Sequence, residues 1–293
     1  MKIKNLFLLA ALGLMASATL TSCEDVLGHW EKPTPTPITP PSGGETPVTP
    51  EEIIYSFSLR NLADDADVAA TALKVTDQTG AEVATATSDG KYTIKETDLG
   101  SATDLWFEAT TATGKFIAKA TVAEVAAIAE AGKLMMATCG DVILADGKFA
   151  KAGTASPVAM IAYLGNSDCT HGLAIQLNDS PVSKNWANAK TYAEGLAAVP
   201  GGTWRLPSKE DWQNMFVGCA TSGDASAGDL MNPIAGFKAK IIATGITWYT
   251  DSYWSSTGSA WNVVVSLDGS DAYANFFEND TSTTNSVLGC LAF

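Results

Sequence analysis

Positive charge is scarce in this chain. Of 293 residues only 18 are lysine or arginine, against 32 aspartates and glutamates, and just two are arginines, Arg60 and Arg205. A phosphate backbone is held by cations, so a protein with a formal net charge of −14 repels it, and nucleic acid is excluded as a partner. Histidine is nearly missing as well, with His29 and His171 the only two. None of the five cysteines stands in a CxxC pair, which excludes a zinc knuckle. His171 falls inside a strand-like run, THGLAIQL, and reads as core rather than as the base of a Ser/His/Asp set. Nothing positions two carboxylates as a glycosidase pair. No internal repeat of fixed period is present, and no cofactor is expected.

Long apolar runs are missing too, apart from one near the start. Leu6 to Met15 follows Lys2 and Lys4 and gives way to small and hydroxylated residues. It is shorter than the ~20 residues that a membrane span needs and reads as an export signal over residues 1–22. The next stretch, Leu20-Thr21-Ser22-Cys23, resembles a relaxed lipobox of bacterial lipoproteins. That resemblance implies lipidation of Cys23, with the membrane as a partner through the anchor. Glu24 and Asp25 resemble the surface-export signal of some diderm lipoproteins, implying an outer-membrane address facing the cell exterior. Loss of residues 1–22 removes two lysines, leaving 16 − 32 = −16. Export permits disulfides, and the four cysteines that remain beyond the anchor, Cys139, Cys169, Cys219 and Cys290, leave three pairings open.

Residues 23–52 hold the anchor and a stalk. Seven of the twelve prolines lie between residues 31 and 50, a composition that favours an extended, semi-rigid chain; at ~3.1 Å per residue it reaches on the order of 60 Å. Residues 53–137 read as a small all-β sandwich. Turn signals at Asp77-Gln78-Thr79-Gly80, Ser88-Asp89-Gly90 and Thr113-Gly114 separate runs of alternating β-branched and apolar residues,. Thr121 and Glu124 form a capping-box pattern before a short helix, with Gly132 at its far end,. The cluster Asp64, Asp65 and Asp67 lacks the calcium-loop pattern and reads as a solvated acidic loop.

Residues 138–293 have a different texture, since six of the eight tryptophans fall after residue 185. Strands are expected in GDVILADGKF, SPVAMIAYLG and HGLAIQL, and a helix after Ser183 that includes Trp186, Ala189, Ala193 and Leu196,. In Trp204-Arg205-Leu206-Pro207-Ser208 the residue before proline is held extended, and Ser208 with Asp211 offers an N-cap and an acidic first turn. A strand-to-helix corner is the result, its helix burying Trp212, Met215 and Phe216. PIAGFKAKIIATG reads as a further helix, and YWSSTGSAWNVVVSLDGSDAYANFF as strands.

The order Trp186-Ala187-Asn188-Ala189, Trp204-Arg205-Leu206-Pro207-Ser208, Tyr253-Trp254-Ser255-Ser256-Thr257, Ala260-Trp261-Asn262-Val263 and Cys290-Leu291-Ala292-Phe293 resembles the surface-protein family related to formylglycine-generating enzyme. Its members are similar to C-type lectins in fold. The resemblance implies an α+β domain over 138–293 whose last strand returns beside its first, and a mixed fold class overall. Arg205 is then a structural cation, and Trp204, Leu206, Pro207, Trp212, Trp254 and Trp261 pack the domain. Trp261-Asn262-Val263 lacks the carboxylate of the lectin calcium motif, and no Glu-Pro-Asn is present. The expected function is adhesion or recognition of a glycan or an extracellular protein, without catalysis. Ligand contacts are expected at Trp248, Tyr249, Asp251 and Tyr253, and at Asp271, Tyr273, Asn275 and Glu278. Aromatic faces there would stack on sugars, and amides and carboxylates would bind hydroxyls. A structural or tip subunit of a surface fibre, built by strand exchange, is the alternative; a catalytic relative of the formylglycine enzymes is the third reading.

Overall fold

Alternation in the first half translates directly into two sheets. A computed structural model describes residues 51–165, 171–178, 180, 182–220, 231–247, 251–258, 260–266 and 273–293. Its N-terminal elements are β1 (Ile54–Asn61), β2 (Ala72–Asp77), β3 (Ala86–Ser88), β4 (Lys91–Lys95), α1 (Glu96–Leu99), β5 (Asp104–Thr110), β6 (Lys115–Thr121), α2 (Val122–Ala131) and β7 (Lys133–Met136). One sheet has the order β3-β4-β1-β7 and the other β2-β5-β6. Phe57, Val75, Ile94, Leu105, Phe107 and Val125 are buried together in their shared core. The capping box of Thr121 and Glu124 is formed, and Gly132 ends α2 at φ 70° in the left-handed region, where a side chain would be strained.

The second half contains β8 (Val142–Ile143), β9 (Phe149–Ala150), β10 (Ala159–Leu164), β11 (Gly172–Gln176), β12 (Val182–Lys184), α3 (Trp186–Glu194), β13 (Thr203–Arg205), α4 (Lys209–Gly218), α5 (Met231–Ala243), β14 (Asp251–Trp254), β15 (Trp261–Ser266), β16 (Tyr273–Glu278), β17 (Asn285–Val287) and β18 (Cys290–Ala292). The strands form sheets of order β13-β18-β11-β10-β8-β9 and β12-β17-β14-β15-β16. Trp212, Met215 and Phe216 of α4 and Ile234, Phe237 and Ile241 of α5 sit at helical spacing, and they bury that face against Met160, Leu173, Val263 and Val265,. The whole is a mixed, strand-rich fold.

Two expectations differ from the structure. The helix after Ser183 begins only at Trp186, because 182–184 pair with β17; Asn185 caps it, accepting a hydrogen bond from Asn188 N–H. It stops at Glu194 with Gly195 as C-cap, so Leu196 lies outside it. The last strand, β18, lies between β13 and β11 rather than beside β8; the edges of β8 are taken by β10 and β9.

The boundary expected at 137/138 falls inside one compact unit, residues 50–293. The cause is the β2-β5-β6 sheet, which is buried on both faces. Leu105 and Phe107 point into the N-terminal core. Trp106 and Ile117 point the other way, into a second core with Ile143, Ile161, Trp204 and Phe293.

Candidate functional site

Those of the expected ligand contacts that lie among the described residues do not share one surface. Cys23, Trp248, Tyr249 and Asp271 lie outside the described residues, as does Cys169, and Tyr273 is placed only as the first residue of β16. Tyr253 is 1% exposed in the core beside Trp212; burial, with Asp251 adding to it, pushes its phenol well above the usual range. It packs the domain and offers nothing to a ligand, because Tyr253 falls on the inward face of β14, where alternation takes its neighbours the other way. Asp251 is exposed, but its carboxylate accepts from the Ser286 hydroxyl and from Ser252 N–H at 2.7 Å. Asn275 is exposed on β16. Glu278 is exposed at the end of that strand, opposite Trp261. In register, Ala274 and Phe276 turn inward, which puts Asn275 on the opposite face of the sheet from Tyr253.

The tryptophan-rich corner is tied together from within. Trp204, Leu206, Pro207, Trp212 and Trp254 are buried. The indole N–H groups of Trp186, Trp204, Trp212 and Trp254 donate to the carbonyls of Ser255, Ala197, Trp254 and Lys184. Ser208 and Asp211 form the capping box of α4. Asp211 also accepts from Arg205 Nη2 at 2.7 Å. Burial works against the charge of Arg205, but Asp211 and Cys290 more than offset it and hold its pKa above the usual value. Besides the indole bonds to Trp254 and Ser255, two more join this corner to the Tyr253–Thr257 stretch: Ser256 N–H donates to Pro207 O and Lys209 N–H to Thr257 Oγ1. Trp261 is only partly buried, and Lys209 Nζ lies 4.5 Å from its ring centroid, close enough for a cation–π contact.

His171 lies just ahead of β11, 7% exposed and stacked on Trp106 at 4.1 Å. Its Nδ1 lies 2.8 Å from Glu108 Oε1, so the pair joins the two halves of the unit. A pocket of about 330 Å³ beside it is lined by Lys74, Lys115 and Tyr163. Among the described residues, no group of three or more histidines, cysteines, aspartates or glutamates is gathered for a metal. In the acidic loop, Asp65 pairs with Arg60 and Lys133, and Asp67 pairs with Arg60.

A larger opening than the one beside His171 lies where no motif pointed. Ile117 of β6 and Ala137 exchange both backbone hydrogen bonds, at 2.8 and 2.7 Å. Beyond that bridge β6 and β7 part company, each becoming the edge of its own sheet. Between them opens a groove of about 650 Å³, flanked by α2 and by the β8–β9 turn. Backbone groups alternate in direction along a strand. Since Ile117 faces away from β5, so does Lys119. Since Ala137 faces away from β1, so does Met135. The N–H and C=O groups of Lys119 and Met135 therefore point toward the groove, without a backbone partner among the described residues. The lining is apolar and small at its base, with Ala118, Ala120 and Leu134, and charged at its rim, with Glu124, Asp146 and Lys148. Sequence reading missed it because alanines and lysines carry no motif; the one legible signal was a strand pattern, KFIAKAT, with a helix directly behind it.

The chain matches no family model, no curated protein and no solved structure. Two open strand edges, an apolar base and a rim of both charge signs suit an extended polypeptide better than a sugar,.

Proposed function

We propose that this chain is a surface-displayed, non-catalytic recognition protein, anchored through a lipid at Cys23 and facing the cell exterior, whose ligand is an extracellular protein segment bound in extended form. The observation that carries the reading is the pair of unpaired backbone edges, at Lys119 and Met135, on the two sides of one groove. Main-chain pairing supplies affinity in such a site and side-chain pockets supply selectivity. In the same reading, residues 53–137 are a β-sandwich and residues 138–293 a relative of the formylglycine-enzyme-related, C-type-lectin-like proteins. The bonds between the Trp204–Ser208 corner and the Tyr253–Thr257 segment support that kinship, while the position of β18 departs from it.

The test is binding of the full chain to a panel of extracellular-matrix proteins, their unfolded peptides and glycans, with and without calcium. Lys119→Pro removes one outward N–H and no β5–β6 bond, a change that edge strands tolerate. Binding to peptide should fall about tenfold, the worth of roughly one hydrogen bond, and Ala127→Trp, which fills the groove from α2, should abolish it. Glycan binding indifferent to both variants would overturn the reading.

The same open edges favour a second reading, a fibre subunit whose groove takes a strand from another copy. It predicts concentration-dependent oligomers that Ala127→Trp prevents; a chain that stays monomeric at every concentration while binding peptide decides for the first reading.

A further inference from the structure

Two of the cysteines meet inside the C-terminal core, although 80 positions separate them in sequence. Their positions are fixed by two independent elements. On β10, Gly140 N–H donates to Ile161 O and the Cys219 thiol donates to Ala162 O at 3.4 Å, so both cysteines flank the same stretch of strand. On α5, Lys240 Nζ donates to Cys139 O at 2.8 Å, while Gly236 lies so close to Cys219 that a Cβ there would stand 2.4 Å from its carbonyl oxygen. Residues i and i+4 of a helix are one turn apart on one face, so a single face of α5 meets both cysteines. Cys139 packs against the cluster in which Cys219 is buried, both are free thiols here, and each acts on the ionisation of the other.

We propose that Cys139 and Cys219 are a disulfide pair that staples the strand entry of the C-terminal half to the end of α4. Cys290 lies elsewhere in the core, its thiol beside Asp211 at 3.9 Å. Closure is a thiol–disulfide exchange with an oxidant of the exported disulfide class. One cysteine thiolate attacks the oxidant's disulfide to form a mixed disulfide, and the second attacks the first cysteine's sulfur, breaking the mixed disulfide and releasing the oxidant's second thiolate. The two cysteines lose two protons and two electrons, and the oxidant's disulfide is reduced to two thiols. The neighbouring Cys219 first, and Lys240 second, hold the Cys139 thiol below its ordinary range despite burial. Cys219 is fully enclosed, and burial pushes its thiol well up. Cys139, only half-buried, is thus the sulfur that meets the oxidant first.

The pairing rests on geometry, whereas its occurrence in the cell rests on the export reading, and the experiment separates the two. The full chain is purified reduced, equilibrated with glutathione disulfide, alkylated and digested without reduction. A dominant cross-linked peptide joining Cys139 to Cys219 is expected, with alkylation of both sites lower by on the order of tenfold than in the reduced chain. The oxidised chain should also unfold at higher urea than the reduced one, a difference that vanishes in the C139A/C219A double variant. Two thiols that stay fully alkylated, or a cross-link from either one to Cys169 or Cys290, would overturn the pairing. The chain isolated from its own cells is then mapped in the same way; a bond that forms with glutathione but is reduced there sinks the export reading and leaves the pairing standing.

Discussion

Around Trp204 and Asp211 almost every polar group is satisfied from within, Arg205 Nε excepted; along the facing edges of β6 and β7, backbone donors and acceptors stand open. The corner is built of large aromatics whose N–H groups find carbonyls. The groove is built of alanines that leave room. A conspicuous sequence motif therefore marks where the fold is held, and the capacity to bind lies where side chains are too small to fill the space. Burial explains the difference, because an unpaired polar group in the interior is costly while one at a water-filled edge is not.

The largest effect is expected from Trp254→Ala. The ring is fully buried, covered by Ala189 and Ala193 of α3 and by Leu206, and its N–H bonds Lys184 O at 2.7 Å. Truncation leaves a cavity and an orphaned carbonyl, and should cost about 3–5 kcal/mol in a urea titration. A loss under about 1 kcal/mol would break the comparison, since it would mean that the corner tolerates an absent tryptophan as an open surface does. Peptide binding at the groove should survive this variant at temperatures where it remains folded.

Asp211→Ala comes next. Its carboxylate is 5% exposed and joins Arg205, Ser208 N–H and the start of α4. Removing it leaves a half-buried guanidinium without its partner and α4 without half of its capping box. Arg205 keeps 31% exposure, so water screens part of the penalty, and the expected loss is about 2–3 kcal/mol, below that of a fully buried pair. Asp211→Asn keeps the size and one acceptor and should lose less; equal losses in the two variants would show that charge alone matters at this corner.

Much of the frame was legible in the sequence, for identifiable reasons. The capping boxes at Thr121 and Ser208, the turn at Gly80 and the apolar faces of α4 and α5 follow from local rules that need only a few residues of context. Tyr253 is buried rather than open to a ligand, which its sequence neighbours, both aromatic and acidic, do not disclose; only the register with Val263 and Ser286 reveals that the strand turns Tyr253 inward. The double burial of the β2-β5-β6 sheet was invisible for a related reason. Alternation shows that Trp106 and Phe107 face opposite ways, but not that a second core waits for Trp106. The groove depends on where two strands stop pairing, which is a property of tertiary contacts.

The smallest effect is expected at the groove's mouth. Lys133, part of the lining, gives a hydrogen bond to Asp65 at 2.9 Å. That bond first, and the one from Arg60 second, hold the Asp65 carboxyl below the usual range. A carboxylate with a depressed folded-state pKa stabilises the fold at pH values above its unfolded value, about 3.9, and loses that contribution as the pH falls through the folded value. Asp65→Asn should therefore melt slightly below wild type at neutral pH, and the two melting curves should merge as acidification carries the pH through the depressed folded value. The gap is small because the loop is exposed and solvent screens the pair, and it should narrow further in high salt. The same variant releases Lys133 into the groove mouth and adds one unit of positive charge there, so acidic peptides should gain affinity over basic ones. A melting gap that persists unchanged into acid would mean that Asp65 acts through loop geometry rather than charge, and the groove's rim would then resemble the corner more than its own open edges do.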